Sequence, residues 1–197
     1  MEKKYEMIPE GDLFRIRALR KFKGVIKGEF GGLIAKEDNL SHYGDCWITY
    51  NARVSENARI LDNAIVTGSA IIRENSCVMG NAQVTGHAII TGCAQVYGNS
   101  LVGEVAIVKD ATVCGAHVFG RAELYGDAEV SADNDYIVFK NWWSSGRYFT
   151  WTRSNNMWKV GCFHGTGEEL VRKAYRDSEE KGKQYKKIVD YVNSLEL

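Results

Sequence analysis

Between Asn51 and Ala132 the pattern of apolar and polar positions resets every six residues. Written in blocks the segment reads NARVSE, NARILD, NAIVTG, SAIIRE, NSCVMG, NAQVTG, HAIITG, CAQVYG, NSLVGE, VAIVK, DATVC, GAHVFG, RAELYG and DAEVSA. In all fourteen the second residue is Ala or Ser and the fourth is Val, Ile or Leu. Within a block this is a period-two alternation, small and aliphatic to one side and their neighbours to the other, so each block predicts a strand two or three residues long. Apolar spacings of two and four that restart every six residues never hold a 3.6-residue stripe, which excludes amphipathic helices. Gly fills the sixth place seven times and Asn the first place six times. Both tolerate positive φ, so both are expected at the sharp corner that follows each strand. The predicted object is a narrow tube whose coils stack about 4.8 Å apart and pair backbone to backbone, so that no coil is stable alone.

The rhythm extends upstream and falters twice. DCWITY, Asp45 to Tyr50, fits the block with Cys46 in the small place and Ile48 in the aliphatic one. A preceding coil is expected from Val25 through Ile34, with Lys36 to Gly44 as an excursion and residues 1–24 as a lead-in. Gly28, Gly31 and Gly32 read as turn glycines. The blocks Val105 to Lys109 and Asp110 to Cys114 are each one residue short, and a pinch or twist of the tube is expected there.

These repeats resemble the hexapeptide-repeat, left-handed β-helix superfamily. With the segment RIRALRKFKGVIKGEFGGLIAKEDNLSHYGDCWITYNARV ahead of them, they are most similar to uncharacterised bacterial and phage β-helix proteins that often carry transferase labels. The resemblance covers roughly residues 13–132. It implies a left-handed parallel β-helix with three strands per coil over residues 25–132, and it says little about activity. With three walls, every third block shares a face. The outward third residues then sort into Arg53, Ile71, Ile89, Ile107 and Glu123 on one wall; Arg59, Cys77, Gln95, Thr112 and Glu129 on another; and Ile65, Gln83, Leu101 and His117 on the last. The stripe Ile71, Ile89 and Ile107 reads as an oligomer interface, and because such β-helices associate as trimers the resemblance implies a homotrimer. The alternative is a stripe covered by the chain's own termini.

After Ala132 the composition changes: residues 133–197 hold four of the five tryptophans. YIVFK, RYFTWT and MWKVGCF read as strands joined by the turn-forming NWWSSG and RSNN. Thr166 with Glu169 forms a capping box that opens one helix, and Ser178 opens a second whose apolar side carries Tyr185, Ile188, Val189, Val192 and Leu195. This predicts a small α+β C-terminal cap that seals the open end of the tube. Its aromatics then form core. A sharper reading takes Arg147, Tyr148, Trp151, Arg153, Trp158, Lys159, His164 and Thr166 as ligand-binding residues, because Arg beside aromatic faces suits a nucleotide and a helix N-terminus offers amides to a phosphate.

Charge and cysteines narrow the partners. The 25 basic and 25 acidic residues cancel, and the local balance is +1 over 1–50, −3 over 51–132 and +2 over 133–197. No global field favours double-stranded nucleic acid or an anionic membrane. There is no apolar run of eighteen residues and no signal-peptide pattern, and the five cysteines, odd in number and free of any C-x-x-C pair, read as reduced thiols in a cytoplasm without a structural metal. Hexapeptide acyltransferases use a histidine base in the groove between subunits, with acyl-CoA along the coil. The match here is His117, on a flat wall beside the short blocks; His87 stands at a corner, and His42 and His164 read as surface residues. No inserted loop or acceptor residue matches, Ser144 and Ser145 form no nucleophile elbow, and no P-loop or dinucleotide fingerprint occurs. The leading expectation is a non-enzymatic, oligomeric binding protein without cofactor, of the phage type that inhibits or sequesters a host defence factor or nucleotide signal. The alternatives are an acyl-CoA-dependent acyltransferase and a structural spike.

Overall fold

In the computed structural model, residues 3–143 and 146–195 are described; Ser144 and Ser145 lie outside them. The chain is mainly β, a parallel β-solenoid of about 5 turns followed by a small sheet and two helices. Three sheets run along the solenoid, and from Arg53–Val54 onward the parallel neighbours within each are every third strand of the sequence. Ile71 pairs with Ile89 and Ile89 with Ile107; Cys77 pairs with Gln95 and Gln95 with Thr112; Gln83 pairs with Leu101 and Leu101 with His117. The sorting of outward residues into walls is therefore the observed register.

The core follows from the two invariant places. Every second-place Ala from Ala52 to Ala128 and every fourth-place aliphatic residue from Val54 to Val130 is buried, Val66, Val84 and Val102 completely. A buried side chain of that size contributes about 1.5–3 kcal/mol. Corners behave differently from the expectation in one respect. The sixth place takes positive φ in every full block through Gly126, including Glu56, Asp62, Glu74 and Glu104, whereas the first-place Asn residues do not. Those Asn side chains instead form amide ladders from coil to coil, Asn57 to Asn75 at 3.2 Å, Asn63 to Asn81 at 3.3 Å and Asn81 to Asn99 at 3.2 Å. Asp62 and Glu74 accept from the amides of Gly80 and Gly92 one coil on, at 3.0 and 2.6 Å.

Pairing continues through the two short blocks, because the missing residues are taken from corners. The Asp110 carboxylate accepts from the Cys93 amide at 2.8 Å, in place of the backbone carbonyl that ordinary corners supply there. At the next corner Ser100 Oγ accepts from the Gly115 amide at 2.8 Å and donates to the Val113 carbonyl at 3.1 Å.

Both ends of the tube are plugged. Upstream, Tyr5–Glu10 and Leu13–Ala18 form an antiparallel hairpin that continues onto Phe30–Ile34, the first strand of one wall. The lead-in is thus part of the sheet. Gly31 and Gly32 lie within that strand rather than at a turn: a Cβ on Gly31 would stand 2.5 Å from Ile16, and one on Gly32 2.3 Å from Ile48. The excursion carries a short 3-10 helix, Glu37–Asn39, and Asn39, fully buried, accepts from the Ala35 and Lys36 amides and donates to the Glu56 and Ala58 carbonyls.

Downstream, Tyr136–Lys140, Tyr148–Thr152, Met157–Val160 and Phe163–Thr166 form an antiparallel meander covered by helices α1, Gly167–Asp177, and α2, Glu179–Asn193. The fourth of these strands is additional to the three read from sequence. The capping box is present, with Thr166 and Glu169 each bonding the other's amide, and Ser178 caps α2. This module supplies side-chain oxygens to amides of the final coil: Asp133 to His117 at 2.7 Å, Thr150 to Glu123 at 3.0 Å, Ser154 to Glu129 at 2.7 Å, and Asp135 to both Ser131 and Ala132 at 2.8 Å. Among the described residues no helix is long and apolar enough to cross a membrane.

Two serines in the small place make a direct test of the corner account. Ser100→Ala leaves the Gly115 amide with only the longer 3.4 Å contact to the Tyr97 carbonyl and is expected to cost about 1–2 kcal/mol in denaturant unfolding. Ser76→Ala removes only a donor to the Arg73 and Ile90 carbonyls and is expected to cost clearly less.

Candidate functional site

The cap overhangs the wall that carries the isoleucine stripe, and the angle between them is a cleft of about 520 Å³. Its floor is solenoid: Val105, Ile107, Arg121 and Glu123. Its roof is cap: Lys140, Gly146, Arg147, Tyr148 and Gly161. Local structure explains the placement. Arg121 begins a block at a corner, so it projects from the tube's edge; Lys140 and Tyr148 are partners across the first two cap strands; the two glycines leave the space that side chains would fill. The docking is fixed beneath by the Thr150 bond to the Glu123 amide.

Arg121, Lys140 and Arg147 line the cleft beside one lining carboxylate, Glu123, which Lys159 engages, and Arg147 also helps to hold the Asp177 carboxyl below its ordinary value. Lys159 stands 3.6 Å from Glu123 and 4.4 Å over the Tyr125 ring, and it also donates to the Gly161 carbonyl. Arg121 lies 5.4 Å over the face of Tyr148. The arrangement suits an anion that also carries an apolar or aromatic portion, since cations, an aromatic ring and a β-branched floor are all within one cleft.

Of the eight residues read as ligand-binding, only Arg147 and Tyr148 line this cleft. Trp151 and Trp158 are buried in the cap core with Phe149, Leu170 and Tyr185, and the Trp151 indole donates to Asn156 at 2.8 Å. Arg153 pairs with Asp135 at 3.7 Å. Lys159 is buried in the Glu123 bridge beneath the cleft. His164 is exposed beside Tyr125 in a separate depression with Arg172, Lys173 and Arg176, and Thr166 is committed to the capping box. Arg121 and Lys140 were missed by sequence reasoning. The available signal was Arg in the first place of RAELYG, where Asn or another small residue is usual.

His117 is half exposed, and its Nδ1 lies 3.1 Å from Asp133 Oδ2 while its amide donates to Oδ1. The carboxylate therefore orients the ring and leaves Nε2 as the nitrogen it does not engage. The His117 amide foremost, then the ring, holds the Asp133 carboxyl below its ordinary value. His42, by contrast, is a packed residue: it stacks on Tyr5 at 4.3 Å, accepts from the Lys4 amide and reaches Glu37 at 2.9 Å. On the stripe, Ile71 is exposed, Ile89 and Ile107 are half-buried, and Ile107 continues into the cleft floor. Among the described residues no three His, Cys, Asp or Glu side chains are grouped to hold a metal ion.

No protein-family model matches this chain, and no curated protein matches it either.

Because its folded-state value is lowered, Asp133 contributes stability above the usual carboxylate range and loses it as the pH falls through the lowered value. Asp133→Asn is expected to flatten the acid side of the melting-temperature profile while changing its neutral-to-alkaline shape little, which thermal melts across that range will measure.

Proposed function

We propose that this protein is a non-enzymatic binding protein, a rigid oligomeric solenoid that captures a phosphate-bearing ligand of the nucleotide class in the cleft between tube and cap. The reading includes the finer points drawn from the resemblance: a left-handed hexapeptide coil of three strands, a homotrimer formed on the stripe Ile71, Ile89 and Ile107, and action in the cytoplasm, the host's if the chain is phage-encoded. In that setting it would sequester a nucleotide signal or block a host defence factor. The observation that carries the reading is the placement of Arg121 over the Tyr148 ring, beside Lys140 and Arg147, above an apolar floor. Charge-assisted bonds to a phosphate are the strong ones, about 1.5–3 kcal/mol each.

Calorimetry with linear and cyclic nucleotides, and with inorganic phosphate, tests this. Binding is expected to weaken with salt. Arg121→Ala should reduce affinity by roughly tenfold or more without unfolding the protein, since one such bond is worth a factor of that order. No heat and no thermal shift with any of these ligands would remove the nucleotide reading.

A second reading has one observation of its own. The His117–Asp133 pair has the form of an oriented general base, as an acyl-CoA-dependent acyltransferase would need. The same carboxylate caps the His117 amide, which gives it a structural duty in either case. Under this reading wild-type protein binds acyl-CoA and acylates an amine or hydroxyl acceptor, and His117→Ala folds but loses turnover. Absence of acyl-CoA binding would end it.

A further inference from the structure

At the other end of the tube the geometry points to a covalent modification site: Lys4 and Cys46 form a peroxide-dependent sulfur–nitrogen cross-link. This is independent of the cleft and of any ligand there.

Cys46 occupies the small place of DCWITY, where all fourteen later blocks have Ala or Ser. Packing alone therefore needs no thiol. Its Sγ lies 3.2 Å from Lys4 Nζ, and both residues are wholly buried. The same amine donates to the Cys46 carbonyl at 2.9 Å and to that of Gly44 at 3.4 Å, and it stands 5.4 Å over the Phe22 ring. Among the described residues no carboxylate reaches ion-pair distance of it, although Lys3 beside it pairs with Glu37. A buried cation without an anion is costly, and the cost is relieved by losing the proton. Burial accordingly holds the Lys4 amine below its ordinary value, and burial likewise pushes the Cys46 thiol up. The neutral amine is the nucleophilic form.

The chemistry closes with one equivalent of hydrogen peroxide. The Cys46 sulfur, as thiolate, attacks a peroxide oxygen; an S–O bond forms, the O–O bond breaks and water leaves. Sulfur is oxidised by two electrons to the sulfenic acid and peroxide is reduced. Lys4 then attacks that sulfur: an S–N bond forms, the S–O bond breaks, and the departing hydroxide takes the amine's proton as a second water. One thiol, one amine and one peroxide give one sulfenamide and two waters. Sulfenic acids condense in this way with a nearby nitrogen, and an amine held in contact outcompetes a second peroxide from solvent. Because the thiol is buried and its proton is held tightly, the first step is slow and quickens with pH. The product would staple the lead-in hairpin to the first coil across 42 residues of sequence.

The test uses the full chain with Cys77→Ser, Cys93→Ser, Cys114→Ser and Cys162→Ser, leaving Cys46 alone, treated with excess hydrogen peroxide. The expected result is a loss of about 2 Da, the two hydrogens removed in sulfenamide formation. Tryptic cleavage after Lys4 should be blocked, the Lys4 peptide should be joined to the one containing Cys46, and the melting temperature should rise; dithiothreitol should reverse all four. Lys4→Met in the same background should gain oxygen at Cys46 and show no mass loss. The joined peptides are also sought in peroxide-treated wild type, so the result does not depend on the multiple variant folding. Oxygen addition at Cys46 with Lys4 still cleaved, or no change at Cys46 in either protein, would overturn the site.

Discussion

Everything in this molecule depends on backbone hydrogen bonds made between coils rather than within them. A strand of two or three residues has too few bonds and too little apolar surface to persist by itself, so each coil is held by the ones above and below. Such a stack has no natural end. Its last coil presents open amides and carbonyls that would template further pairing, and the chain answers with side chains from non-repeating segments. Upstream, Lys4, Tyr5 and Arg15 donate to carbonyls of Cys46, Leu40, Gly31 and Tyr50. Downstream, oxygens from Asp133, Asp135, Thr150 and Ser154 accept from amides. The polarity differs because each end leaves different groups exposed.

Termination also creates the place where chemistry can occur. The inner surface of the tube is filled by Ala and Val and admits nothing, and the walls are nearly flat. Along the tube, the cleft forms where a non-repeating segment leans over a wall. The cap does this with its first two strands, bringing Lys140, Arg147 and Tyr148 over Ile107 and Arg121. The bond that seals the Glu123 amide is thereby also a hinge pin of the cleft.

The solenoid was legible from sequence because its determinants are local and repeated: Val66, Val84 and Val102 each sit in the same six-residue context and point the same way. Wall membership followed by counting, and the pairing of Ile71, Ile89 and Ile107 is what counting predicts. The role of first-place Asn was misassigned to backbone conformation, because the amide ladder joins residues a full coil apart and has no local signature. Gly31 and Gly32 were misread for a related reason. Their need for hydrogen in place of a side chain comes from Ile16 and Ile48, which only the folded hairpin brings near. The cleft was half visible. Arg147 and Tyr148 stood out among cap aromatics, but Trp151 and Trp158 have the same composition and face inward, and Arg121 belongs to a different segment.

Up to the first of the two short blocks, the Asn ladders and the paired walls from Arg53 to Ile107 share one spacing of 18 residues along the chain. Tube length is therefore quantised. Inserting or deleting one full circuit lengthens or shortens the column by about 4.8 Å and leaves every wall in phase, whereas a change of six residues would turn the cap to a different wall. The distance between the thiol–amine pair at one pole and the cationic cleft at the other is consequently adjustable only in steps, and the azimuth of one relative to the other is preserved at each step.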